Sequence, residues 1–208
     1  YNSDLVSHML NLAEVYHTIG DFSKALEWSK KGIDYIDAST HNKNSSLDAL
    51  KLTFRKPLLI LSKSKALYEQ SNSRDSIFLK SLLKNMDDAF KILEEQKTLI
   101  SKDDNVNVLY SNFLGLYGFT KQLYHDLFTQ TKNKKYLTKL INLHENSIYY
   151  NIRSKLMLQD DINFANVPEA ILKRESKLKK AATTFQTSED STDTFQKYLS
   201  ASERYNSF

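Results

Sequence analysis

The stretch at residues 12–33, LAEVYHTIGDFSKALEWSKKGI, constrains the fold of this chain more than any other. Its apolar spacing predicts two short helices joined by a tight turn at Gly20 and Asp21. Tyr16 and Phe22 would fill the space around three small residues that let two helix backbones approach closely: Ala13, Ala25 and Gly32. Because one such hairpin cannot bury both of its apolar faces, the rest of the chain should supply neighbours for it.

The composition predicts an all-α chain. Among 208 residues there are only 4 glycines and 2 prolines, which disfavours sheets connected by tight turns. Apolar residues make up 40% of the chain, enough for a packed core. Apolar residues recur at helical spacing throughout, and no convincing run alternates as a strand would.

Absent residue types exclude several kinds of site. The chain has no cysteine, so it forms no disulfide, no cysteine-liganded zinc site and no thiol nucleophile. No run of 18 apolar residues occurs, so we expect no membrane-spanning helix. Because the chain begins at Tyr1 without a signal-peptide pattern, we expect a cytoplasmic segment cut from a longer protein.

The first hairpin resembles a tetratricopeptide repeat, a helical hairpin that stacks on copies of itself. The positions that carry this resemblance are Leu12, Ala13, Tyr16, Gly20, Phe22, Ala25 and Gly32. The resemblance implies a right-handed superhelix of stacked hairpins, an α-α solenoid. Three tetratricopeptide-like hairpins are expected at residues 3–37, 47–99 and 106–159, followed by a helical extension at 160–208 that leads to a missing domain.

Internal similarity supports the expected repetition. Leu67-Tyr68 and Leu127-Phe128 are both aliphatic-aromatic pairs near the end of a first helix, followed by similar polar residues. Gly115 and Gly118 lie inside a predicted helix, where each costs up to about 1 kcal/mol relative to alanine. We therefore interpret both glycines as points of close helix packing.

A second resemblance covers roughly residues 56–205. It rests on the LFTQT turn at 127–131, the HENS sequence at 144–147, and FANVPE at 164–169 followed by Leu172 and Leu178. These features resemble the region that precedes the peptidase domain in bacterial CHAT proteins, which are caspase-like proteases associated with tetratricopeptide repeats. The resemblance implies a recognition or regulatory arm whose peptidase is missing, because no position here matches the catalytic His and Cys.

No catalytic or metal-binding motif is predicted. His144-Glu145 is not a zinc-protease motif, because residue 148 is Ile148 rather than a second histidine. The adjacent pair Asp103-Asp104 would point apart on a helix, which is unsuitable for an acid/base pair. We therefore expect a non-catalytic chain with no cofactor and no metal.

The remaining candidate site is the inner groove of the predicted stack. First helices of such hairpins line a concave surface that binds peptides or partner helices. The candidate groove residues are Ser7, Leu10, Glu14, His17, Lys63, Leu67 and Gln70. The expected partner is a protein, a peptide or the chain's own C-terminal peptidase domain. The alternative is nucleic-acid binding through the basic face at residues 173–180, which the interspersed acidic residues disfavour.

Overall fold

The computed structural model describes residues 3–41, 52–97 and 103–157, together with 169–171, 173–174 and 176–177. These residues contain no strand, which confirms the all-α prediction. We number the helices α1 (Ser3–Thr18), α2 (Phe22–His41), α3 (Lys56–Gln70), α4 (Ser76–Lys97), α5 (Asp103–Thr131) and α6 (Lys134–Met157). Most of the predicted extension at 160–208 and the predicted start of the second pair at 47–51 lie outside the described residues.

Local capping explains where the hairpin turns fall. Gly20 has a φ of +82°, a conformation that glycine adopts without strain, and this ends α1. Asp21 then caps α2, because its carboxylate accepts a hydrogen bond from the Lys24 N–H at 3.1 Å. That bond lowers the pKa of Asp21. Asp75 caps α4 in the same way, accepting from the N–H groups of Ile77 and Phe78.

The helices pack in chain order. Each helix contacts the next one, from α1 on α2 to α5 on α6. In addition, α1 contacts α3 and α3 contacts α5. The helix α3 therefore lies among α1, α2, α4 and α5, and its buried residues are spread around its circumference. A helix that is buried on most sides is the centre of a core rather than part of a surface.

Two hydrophobic clusters share α3. The smaller one joins α1, α2 and α3 through Val6, Leu10, Ile36, Leu52 and Leu59. The larger one joins α3, α4 and α5, and partly buried residues of α6 pack against it. Its buried members are Leu61, Tyr68, Leu79, Leu82, Leu83, Met86, Ala89, Leu93, Leu116, Tyr117, Phe119, Leu123, Tyr124 and Leu127.

Glycines allow α3 to approach its neighbours on both sides. A Cβ atom added at Gly32 of α2 would lie 2.8 Å from the Leu59 Cδ1 atom, closer than real carbon atoms pack. A Cβ atom at Gly115 of α5 would lie 3.1 Å from the Leu61 Cδ2 atom. Gly115 is therefore at a close contact, as predicted. Gly118 is not, because a Cβ atom there would meet nothing within 4 Å.

The signature residues of the first hairpin differ in burial. Ala13, Ala25 and Gly32 are buried, whereas Tyr16 and Phe22 are half-buried. Leu12, which we assigned to the packing face of α1, is 36% exposed instead. Val6, Leu10 and Ala13 form the buried face of α1, at spacings of four and three residues. The observed packing stripe thus shares Ala13 with the predicted face and uses Leu10 and Val6 where Leu12 was expected.

Candidate partner-binding surface

The first helices α1 and α3 carry the predicted groove residues, and the structure gives those residues different roles. On α1, Glu14 is exposed and Ser7 is half-buried. Leu10 is only 4% exposed and belongs to the smaller hydrophobic cluster, so its assignment to an open groove is corrected. His17 packs edge-to-face against Phe22, with ring centroids 5.3 Å apart. His17 therefore supports the turn of the first hairpin.

On α3, the predicted groove positions face α2. Lys56, Lys63 and Gln70 are spaced by seven residues and so lie on one side of the helix. Lys56 forms a salt bridge with Asp37 of α2. The Gln70 amide donates a hydrogen bond to the Ser23 hydroxyl of α2 at 2.9 Å. Lys63 is half-buried and lies midway between Lys56 and Gln70 in the sequence. It therefore lies on the α2 side of α3.

Leu67 is also part of the packing. It is half-buried and contacts the larger hydrophobic cluster. Part of its apolar surface therefore contributes to the core between α3 and its later neighbours, and its role in a groove stays a prediction. The seven-residue spacing from Lys63 to Gln70 was visible in the sequence, but nothing there indicated which neighbour that side would meet.

A polar cluster joins α3 to α5 around Tyr68, which is buried. The Tyr68 hydroxyl donates a hydrogen bond to the Asp126 Oδ2 atom at 2.6 Å. It accepts one from the Gln122 Nε2 atom at 3.1 Å. The Arg74 guanidinium lies over the Tyr68 ring, 3.9 Å from its centroid. Burial raises the pKa of Tyr68, and the hydrogen bond to Asp126 raises it further.

Exposed side chains surround this buried tyrosine. Arg74 pairs with Glu69 at 3.3 Å between the Nη2 and Oε2 atoms. His125 lies beside Asp126, with its Nδ1 atom 3.4 Å from the Oδ1 atom. We call the four exposed members the Tyr68 rim, and they are Glu69, Arg74, Gln122 and His125. The rim offers donors, acceptors and both signs of charge, on the first helices α3 and α5 and, through Arg74, on the connection that follows α3.

Sequence reasoning missed the Tyr68 rim, although one signal pointed towards it. The repeated aliphatic-aromatic pair singled out Tyr68 and Phe128 as equivalent positions. Only Tyr68 has a hydroxyl, and a buried hydroxyl normally finds hydrogen-bond partners. A search for polar residues at helical spacing on a neighbouring helix would have found Gln122 and Asp126, which are four residues apart.

Among residues 3–41, 52–97 and 103–157, no group of three or more His, Asp or Glu side chains could hold a metal ion. None of the helices in these ranges is long and apolar enough to cross a membrane.

The basic segment near residue 173 is only partly described. Lys173, Arg174 and Lys177 are exposed. Lys173 forms a salt bridge with Glu169 at 2.7 Å, as side chains four residues apart on a helix often do. Lys179 and Lys180 lie outside the described residues. The alternative of nucleic-acid binding through residues 173–180 therefore stays a prediction.

Comparisons of this chain with models of protein families, with curated proteins and with solved structures find no match.

Proposed function

We propose that this chain is a non-catalytic helical-repeat module that binds a protein or peptide, built as a tetratricopeptide-like stack of hairpins. The observation that carries the proposal is the order of contacts. Each helix packs on the next, and the first helices α1, α3 and α5 also pack on one another. A row of first helices is the element with which stacked hairpins present a continuous binding surface.

The Tyr68 rim and the exposed part of α1 are the proposed contact surface. The rim is held in place by a buried tyrosine with two hydrogen bonds, so its donors and acceptors are preorganised. Glu14 extends the surface onto α1, where it is exposed. A peptide or a partner helix with polar groups of both signs suits such a surface.

Charge-changing variants test this surface in a pull-down from a lysate of the source cells. Glu14→Lys and His125→Glu should each reduce capture of the proteins that the unmodified chain retains. Lys80→Glu is the matched control, because Lys80 is exposed on the second helix α4. If all three variants capture the same proteins equally well, the assignment of the surface is wrong.

We also propose that the module is the recognition arm of a larger CHAT-type protein. The support is the resemblance at residues 56–205, in particular at 164–178. Determining the gene sequence that continues beyond residue 208 tests the proposal. A caspase-like α/β domain with a histidine and a cysteine is expected there. An unrelated domain would leave the binding module in place and remove the link to proteolysis.

A further inference from the structure

The two outermost helices, α1 and α6, each carry an exposed apolar stripe. Val15 of α1 is 55% exposed and Ile19, the first residue after α1, is 68% exposed, and both lie on the same side as Leu12. On α6, Leu137, Ile141 and Ile148 are 38%, 46% and 46% exposed. Spacings of four and seven residues place these three on one side of α6. Single exposed apolar residues are common, but aligned ones indicate a contact surface.

The internal packing indicates what each stripe fits. Within the chain, the second helix α2 is covered by the next first helix α3, and α4 is covered by α5. By the same rule, α6 is a second helix whose exposed side a following first helix would cover. Likewise, α1 is a first helix that would pack on a preceding second helix. A copy of α1 placed on α6 would continue the packing that already joins the pairs inside the molecule.

Charge favours a copy of α1 over the chain's own basic segment as the helix that covers α6. The first turn of α6 carries Lys134 and Lys135, both exposed, whereas Lys139 lies over the Tyr124 ring of α5. The later segment at 169–180 has five basic residues against Glu169 and Glu175, so its net charge has the same sign and would repel them. In contrast, α1 contains Asp4 and Glu14 and no lysine or arginine. Opposite charge steers two surfaces together and disfavours wrong partners.

We propose that the chain associates head to tail with a second copy, through the α1 stripe of one molecule and the α6 stripe of the next. The two surfaces differ, so the contact is heterologous and each dimer keeps one free end of each kind. Assembly therefore continues beyond the dimer as concentration rises. The association goes beyond the proposed binding function: it does not involve the Tyr68 rim, and of the proposed contact surface it uses only the charge of Glu14.

Sedimentation of the full chain over a concentration series tests the proposal. The unmodified chain should rise from the monomer mass of 24.1 kDa through the dimer to larger species. Val15→Glu on α1 and Ile141→Glu on α6 should each lower the apparent association constant at least about tenfold, which is roughly 1.4 kcal/mol. Ile77→Glu is the matched control, because Ile77 is 79% exposed on α4, away from both stripes, and should assemble normally.

Mixing the two blocked variants gives the decisive result. Val15→Glu retains an intact α6 stripe and Ile141→Glu retains an intact α1 stripe, so an equimolar mixture should form a one-to-one dimer and nothing larger. Circular dichroism verifies that each variant is folded, and Ile19→Glu replaces Val15→Glu if that variant is not.

Three results would overturn the proposal. An α1-to-α1 contact would leave Ile141→Glu dimeric and give no complementation in the mixture. Coverage of α6 by the chain's own later residues would keep the unmodified chain monomeric at every concentration. Equal assembly of all variants, the control included, would show that neither stripe takes part.

Discussion

Leu59 and Leu61 leave α3 on opposite sides, because two residues correspond to about 200° around a helix. Leu59 enters the smaller cluster, where it lies against Gly32 of α2, and Leu61 enters the larger cluster, where it lies against Gly115 of α5. On the α2 side the contact is made by small residues, which are Ser29, Gly32 and Ser62. On the α5 side the space between the helices is filled by large side chains.

This difference teaches where each side is sensitive to substitution. A contact between small residues leaves no room for added atoms, whereas the cost of removing atoms from a leucine on either side grows with how completely that leucine is buried. The two sides also differ in their polar groups. The Ser29 and Ser62 hydroxyls are hydrogen-bonded to each other across the α2 side, whereas the α5 side relies on Tyr68 and its partners.

The largest expected effect comes from truncating the two leucines. Leu59→Ala should lower the free energy of unfolding by about 2–5 kcal/mol, because it leaves a cavity at a fully buried position. Leu61→Ala should cost less than Leu59→Ala, because Leu61 is 7% exposed and Gly115 beside it is only half-buried. Urea unfolding followed by the fluorescence of Trp28, the only tryptophan, measures both. A greater loss for Leu61→Ala would reverse the comparison.

The next effect concerns the polar contact on the α5 side. Tyr68→Phe should cost about 1.5–3 kcal/mol, because the Asp126 carboxylate loses its donor and Gln122 loses its acceptor. Tyr136→Phe is the matched control. Tyr136 is a half-buried tyrosine that stacks on Tyr124, and its change should stay within about 0.5 kcal/mol. Equal losses in the two variants would mean that the Tyr68 hydrogen bonds add nothing.

The same tyrosine predicts a pH dependence. The pKa of Tyr68 is raised above its usual value of 10.0 in the folded state, so the unfolded chain releases this proton first. The stability that Tyr68 contributes is therefore complete below about pH 10 and is lost as the pH rises through its folded pKa. Tyr68→Phe should show a shallower loss of stability than the unmodified chain over that alkaline range. Parallel curves would contradict the assignment.

A smaller effect on stability is expected when alanine replaces Gly32 or Gly118, and its sign should differ between the two. Gly32→Ala should destabilise the fold by about 1–2 kcal/mol, because the added methyl group meets Leu59 and this outweighs the gain in helix propensity. Gly118→Ala should instead stabilise it by up to about 1 kcal/mol, since nothing lies near the added atom. Thermal unfolding measured by circular dichroism distinguishes the two signs. A stabilising Gly32→Ala would show that Leu59 can move aside.

The sequence predicted the helical class and the first hairpin, because the 3.6-residue period and the Gly20-Asp21 turn are local signals. It could not predict which side of α3 meets α2. Lys63 and Gln70 looked available because they are polar, yet their side of the helix faces α2, where Lys56 contacts Asp37 and Gln70 contacts Ser23. Such an outcome depends on neighbours that are distant in the chain.

The prediction for the packing face of α1 was correct at Ala13 and wrong at Leu12, for a related reason. Leu10 and Leu12 are equally apolar, and the resemblance to a repeat favoured Leu12. The structure buries Leu10 and exposes Leu12, because the contacts with α2 and α3 use the side that also carries Val6 and Ala13. Gly118 shows the same limit. A glycine inside a predicted helix can lie at a close contact or beside open space, and the sequence alone does not distinguish the two.

The smallest expected effect compares buried hydroxyls on the two sides. The Thr120 Oγ1 atom of α5 is buried with no hydrogen-bond partner among the described residues. Thr120→Val keeps the shape and removes an unsatisfied group, so the free energy of unfolding should rise or stay within about 0.5 kcal/mol. Ser62→Val on the α2 side should instead cost about 0.5–1.5 kcal/mol for the hydrogen bond to Ser29, and more for the added bulk. If Thr120→Val costs as much as Ser62→Val, the hydroxyl of Thr120 has a partner and the two sides are alike in their polar packing.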